Sequence, residues 1–370
     1  MSEAGGGGRP LDSRAVRQLF PYLEEVTYLN TATTGLSWLG QGAAAARFYD
    51  QHKSRGYSAQ LQWRGELERT RELLARLLRV TAEEVSFASS ATEALNSVAH
   101  GIALQPGDEV VLCEDEFPSI VLAWTPTALR GAELVRVPID REESRTDALI
   151  QRITDRTRVV AVSHVHWGTG TRVDLDRISV AARKVGARFI VDGAHAVGAI
   201  DVDASVADLY TGSVFKWLLS AFGVAYVVTK SSLAAEIEPL FRGYANEPPS
   251  RKLQFSHPNY PALYALSATL EFLGGLGWQP IFEQVSSLSG FLHRELRREG
   301  WAVVTPEDAR AGIVSVVHDE ATQTVARLSE QDIEIEERAG LLRISPHFYN
   351  SEGDLCRLLD ALGRNPSLTR

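Results

Sequence analysis

The chain has 370 residues, 44% apolar and 23% charged, with a formal charge of −9; this ordinary globular usage excludes a fibrous or largely disordered protein. A length beyond about 250–300 residues, where single cores tend to split, predicts a larger and a smaller domain. Lys and Arg are scattered without a basic block, so neither nucleic acid nor a membrane surface is an expected partner, and two cysteines, Cys113 and Cys356, are too few for a disulfide framework or a four-thiolate metal site.

In chain order, MSEAGGGGRP carries no apolar stretch of secretory type, and no run approaches the ~18 consecutive apolar residues of a membrane span, so a cytoplasmic location is expected. The glycines at 5–8 follow no strand and read as a disordered tail over 1–12 rather than a phosphate loop. Residues 12–20 read as a short helix, YLNTATTG (28–35) as a strand tip and polar turn, and 37–78 as mostly helical. Strand and helix then alternate: EEVSFAS and TEALNSVAHGIAL, DEVVLCE and SIVLAWTPTALRG, AELVRVPI and TDALIQRIT, RVVAVSHV and DLDRISVAARKVG, followed by ARFIVD and ADLYTGS. Strands without polar alternation, each joined to a helix, predict an α/β fold with a mostly parallel sheet covered on both faces. Near Arg242 the pattern changes to a Pro-rich loop, NEPPSRKLQFSHPNYP, then a helix from about Pro261 to Leu273 and an α+β region. The expected division is a tail (1–12), a large domain (13–260), a connecting helix (261–275) and a small C-terminal domain (276–365).

Parallel sheets bind ligands at the carboxyl ends of their strands. ARFIVDGAHAVG puts Asp192 at the end of a buried strand, and DLYTGSVFKWLLSAFG puts Lys216 just after the next. A carboxylate and an amine at one edge suit pyridoxal phosphate, which needs an anion under its ring nitrogen and a nitrogen to take up its aldehyde. SSATEALN (89–96) supplies a small-residue turn opening a helix, where free N–H groups favour a phosphate, and Ser213 adds a hydroxyl. His164 and His166 share a strand face, but no third ligand is spaced nearby, so a hydrogen-bonded histidine is favoured over a metal site.

YLNTATTG, SSATEALN, EDEFPSIV, SHVHWGTGTRVDL, VDGAHAVGAIDVD, GSVFKW and LRISPHFYN stand in an order and spacing that resembles the class V aminotransferase superfamily of fold type I. That superfamily includes cysteine desulfurases, kynureninase and isopenicillin N epimerase, and the resemblance runs from Tyr28 to Leu362. It implies that Lys216 binds the cofactor aldehyde and then shuttles protons. Asp192 would pair with the ring nitrogen, Ala91, Thr92 and Ser213 would hold phosphate, and His195 would sit beside the phenolic oxygen. Phe117 would stack on the ring, and His164 belongs to the cofactor side. Arg343 would clamp the substrate carboxylate, with Asn30 and Thr31 on the substrate side. A homodimer is implied, with sites at the subunit interface; His257, beside Ser256, stands where relatives contact the neighbouring subunit's phosphate.

Three departures matter. Phe215 replaces a frequent phosphate-binding His, and Trp167 replaces the Asn of desulfurases. No Cys lies between Arg327 and Arg343, where desulfurases need one to take up sulfur. The resulting expectation is a pyridoxal-phosphate enzyme acting on an α-amino acid, first read as a lyase of the C–S lyase type. Aminotransfer and an oxygen-using decarboxylation or deamination are the enzymatic alternatives. A cofactor-binding scaffold is the non-enzymatic one.

Overall fold

Runs such as EVVLC and RFIVD are apolar at successive positions, which buries well only where both faces of a sheet are covered. The computed structural model describes residues 11, 13–140, 144–246 and 251–364; apart from Leu11, the tail expected at 1–12 lies outside them. The strands are, in chain order, β1 (Thr27–Tyr28), β2 (Val85–Ala88), β3 (Glu109–Cys113), β4 (Glu133–Val137), β5 (Thr157–Ser163), β6 (Arg188–Asp192), β7 (Leu209–Ser213), β8 (Ala225–Thr229), β9 (Val314–Val317), β10 (Ile333–Glu334), β11 (Glu336–Arg338) and β12 (Leu341–Ile344). Seven form the central sheet in the order β2-β8-β7-β6-β5-β3-β4. The β7–β6–β5–β3–β4 pairings are parallel. The exception is β8, antiparallel to both neighbours. The sequence reading did not name β8; no helix stands between it and β7 to make a parallel crossover, so the chain returns antiparallel.

Side-chain parity splits the core into two layers. Val111, Phe189 and Val191 pack with Leu74 and Leu266 on one face, whereas Val110, Leu112 and Ile190 pack with Leu95 and Trp124 on the other. A smaller antiparallel sheet, β11-β12-β9, lies in the C-terminal part. The N-terminal strand joins that part, because β1 pairs in parallel with β10 and Asn30 bridges to Ser345. No helix of the described residues is long and apolar enough to cross a membrane.

These two ends of the chain close around the segment after β7. The Gly35 amide donates to the Phe215 carbonyl at 2.8 Å, and a Cβ on Gly35 would stand 2.2 Å from the Lys216 carbonyl oxygen. Gly198, at φ +96°, comes as close from the other side: a Cβ there would meet the Trp217 carbonyl oxygen at 2.4 Å. The buried His347 accepts the Phe348 amide at Nδ1 (2.7 Å), so its Nε2–H donates to that same Trp217 carbonyl at 2.9 Å. Leu219, held in the left-handed region at φ 51°, receives the Gln41 side-chain amide on its carbonyl at 3.2 Å. Lys216 therefore rests on a backbone fixed from several directions.

Gly35→Ala tests this directly, since the obstructing atom is backbone and cannot swing away. Overpacking of this kind is expected to cost roughly 1–3 kcal/mol, read as a lower urea midpoint, together with weaker retention of the visible cofactor. An unchanged midpoint would show that the Gly35–Lys216 contact is dispensable.

Candidate active site

β2, β3, β5, β6 and β7 all run in one sense, so their carboxyl ends deliver side chains to a single edge. There Ser90, Ala91, Thr92, Phe117, Ser163, Trp167, Asp192, His195, Ser213, Phe215 and Lys216 line a cleft of about 670 Å³. Thr33, Arg338 and Arg343 close it from above. The cleft thus lies between the central sheet and the β11–β12 hairpin.

At its floor, Lys216 Nζ stands 3.1 Å from His195 Nε2. The Trp217 indole N–H donates to His195 Nδ1 at 3.4 Å, which places the proton of the neutral ring on Nε2. Burial, then the Lys216 and Arg343 charges, push the His195 pKa well below 6.5, so the ring stays neutral. In its unprotonated form the Lys216 amine can accept that Nε2–H. Its own pKa is pushed down to about 8, chiefly by burial; Asp192 opposes this and Arg343 and Arg338 add to it. Asp192 is buried and raised by desolvation, while the Ala194 amide donating to Oδ1 at 2.9 Å favours its ionised form.

The roof is organised by Arg343. Its Nη1 donates to the Trp167 carbonyl at 3.0 Å and its Nη2 to Thr33 Oγ1 at 2.6 Å, while its Nε is buried without a partner. Trp167 also meets Phe117 edge-on, with centroids 5.8 Å apart, and its indole N–H donates to the Asp115 carbonyl at 3.0 Å. Behind that wall Arg145 pairs with Asp115, and Glu116 accepts from the Ser163 amide at 3.1 Å and hydroxyl at 2.6 Å. Buried charges are tolerated here because each has a partner.

Of the expected site residues, Ala91, Thr92, Phe117, Asp192, His195, Ser213, Lys216 and Arg343 line the cleft. His164 does not: it alternates with Ser163 and Val165 along the chain, so it turns away and its Nδ1 meets the Tyr210 hydroxyl at 2.8 Å. Thr31 bonds the Tyr349 hydroxyl at 2.8 Å, and Asn30 joins Ser345; the turn after them brings Thr33 forward instead. His257 lies outside the cleft, its amide donating to the Tyr244 hydroxyl at 2.9 Å. Thr33 and Arg338 were not singled out from the sequence. The signal for Arg338 was the Ala339-Gly340 turn, at φ 53° and 77°, which sets Arg338 opposite Leu341 and Glu336 opposite Arg343; all four share one face.

A family model described as Aminotransferase class-V matches residues 28–357. The chain belongs to the class-V aminotransferase family. It is a pyridoxal-phosphate-dependent enzyme of the lyase or transferase kind. It is 30% identical to isopenicillin N epimerase of Streptomyces clavuligerus over 80% of this chain and 83% of that one. The cysteine desulfurase CsdA of Escherichia coli superposes with a TM-score of 0.85 at 25% identity, over 97% of this chain and all of that one. A cystine C–S lyase, C-DES, solved with cysteine persulfide, superposes at 0.87 with 24% identity, over 93% and 98% of the two chains.

The residues present suit the cofactor. The helix Ala91–Gly101 opens with Ser90 as its cap, its hydroxyl accepting the Glu93 amide at 3.1 Å. That leaves the first-turn amides of Ala91 and Thr92 without intrahelical acceptors, beside the hydroxyls of Thr92 and Ser213 that line the same cleft. A buried carboxylate, a part-neutral amine and an anion cradle thus converge, which is the donor set a phosphorylated pyridine aldehyde requires.

With the neutral Lys216 amine as nucleophile, the rate at which apoprotein captures pyridoxal phosphate would be expected to rise with pH through about 8 and level off above it. Asp192→Asn removes a charge that raises the lysine pKa, so the inflection should move to lower pH. Stopped-flow absorbance measures both; a flat profile contradicts the assignment. Arg343→Lys loses the planar fork and should weaken binding of α-amino acids by about 1.5–3 kcal/mol, while the matching decarboxylated amines bind unchanged. Equal losses for acids and amines would make Arg343 structural.

Proposed function

We propose that this enzyme is an amino-acid lyase that expels a sulfur substituent from Cβ, with Lys216 as its base. The observation that carries the reading is one buried, part-neutral amine set 3.1 Å from a neutral imidazole, in a cleft with a carboxylate at its floor and a guanidinium in its roof. Bound pyridoxal phosphate supplies an electron sink that acidifies the substrate Cα–H. Asp192 would keep the ring nitrogen protonated, the Ala91 and Thr92 amides and the Ser213 hydroxyl would hold the phosphate, and Phe117 would cover one ring face. The Nε2–H of His195 would donate to the phenolic oxygen, its tautomer set by Trp217. Arg343 would fix the substrate carboxylate and so decide which Cα bond faces Lys216. The amine of Lys216 then removes the Cα proton, and the C–S bond breaks with its electron pair leaving on sulfur. That proton returns to the departing thiolate, and water completes the release of a 2-oxo acid and ammonia.

Two findings support elimination over sulfur uptake by the protein. Cys113 is buried in β3 and Cys356 is exposed on the helix Glu352–Leu362, and neither lines the cleft. Of the similar proteins, the desulfurase and the C–S lyase have names that fit chemistry at a carbon–sulfur bond, whereas the epimerase does not. We further propose a cytoplasmic homodimer in which His257 of one copy reaches the other's phosphate.

Purified holoenzyme given L-cystine and S-substituted L-cysteines, with products read by mass spectrometry, tests the reading. Pyruvate with released thiol or persulfide is expected; L-alanine, or a 2-oxo acid retaining sulfur, would overturn it. Cys113→Ala/Cys356→Ser should keep most of the activity, and a persulfide trapped on either wild-type cysteine would restore the desulfurase reading.

A further inference from the structure

The cleft holds a second guanidinium that the proposed chemistry does not use. Arg338 lines the same cavity as Lys216 and Arg343, one step nearer the tip of the β11–β12 hairpin. Their settings differ. Arg343 is 2% exposed, whereas the Arg338 side chain is 40% exposed and stands at the mouth. Arg343 spends two of its nitrogens on Trp167 and Thr33. Among the described residues, Arg338 has only a loose ion pair, Nη2 to Glu336 Oε2 at 3.5 Å, and Glu336 also accepts from Thr33 Oγ1 at 3.2 Å. Most of the five donors of Arg338 are thus unspent.

The rest of the lining sharpens the choice of ligand. Phe117, Phe215 and Trp167 form apolar walls between floor and mouth, and Asp192 at the floor is the one carboxylate among the described lining residues. Glu336, the acidic neighbour of Arg338 on β11, is already engaged by Arg338 and Thr33. With the substrate carboxylate on Arg343 and its nitrogen at Lys216, the side chain has to extend along the aromatic wall toward Arg338.

We infer that Arg338 forms a subsite for an anionic group on the substrate side chain, so that the preferred substrates are α-amino acids with a second, distal acid. This rests on the amino-acid reading above. A planar fork facing a cleft suits a carboxylate in bidentate contact. Its half-exposed setting makes the contribution one of selectivity, screened by salt.

The test compares acids with their near-isosteric amides, using the holoenzyme and the shift of its visible cofactor band. L-Aspartate is titrated against L-asparagine and L-glutamate against L-glutamine, on wild type and Arg338→Gln. Wild type should bind the acid about ten-fold more tightly at one of the two lengths, the usual scale of a charge-assisted contact, and the preference should shrink with added sodium chloride. Arg338→Gln should bring the acid-to-amide affinity ratio to about one; the ratio is the readout because the Arg338 charge also bears on Lys216 and so touches acid and amide alike. No preference at either length, or one that survives Arg338→Gln, overturns the subsite and leaves the amino-acid reading standing. If no α-amino acid moves the wild-type band, the amino-acid reading falls, and the subsite with it.

Discussion

The site depends on keeping one amine buried and available. A lysine lowered to about 8 by burial exists only because desolvation outweighs the attraction of Asp192 in the same cleft. It persists because the surrounding backbone cannot relax to let water in. Gly35 and Gly198 press on the two carbonyls of Lys216–Trp217, and His347 ties the second of them from the far end of the chain. The parallel N-terminal pairing of β1 with β10 brings those distant pieces together. The fold is thus closed over its reactive group by contacts that are themselves far apart in sequence.

Much of this was legible in the sequence, because the signals were local. Buried strands with no polar alternation gave the sheet, and the residues at their carboxyl ends gave Asp192, Lys216 and the Ala91–Thr92 turn. What sequence reasoning misplaced was a matter of parity and turns. His164 is one residue out of phase with the lining, and Thr33 takes the forward position two residues beyond Thr31. β8 was unnamed because its pairing is antiparallel within a parallel pattern. Trp217 and His347 act only through contacts between distant segments, which one sequence does not display.

The roof extends the same logic from catalysis to recognition. Trp167 is fixed by the Asp115 carbonyl and in turn holds Arg343, and Asp115 is itself tied to the buried Arg145 guanidinium. That arrangement leaves the hairpin tip with Arg338, less constrained and more exposed. In the proposed reading, the rigid part would meet the invariant end of an amino acid and the freer one the variable end.

The central claim is that Lys216, rather than any other lysine, carries the cofactor. Borohydride reduction of the holoenzyme followed by peptide mapping measures this without assuming a substrate. The account predicts a stable pyridoxyl group on the peptide containing Lys216 and loss of the visible band in Lys216→Ala. A pyridoxyl group on Lys184 or Lys230, with Lys216 unmodified, would contradict it.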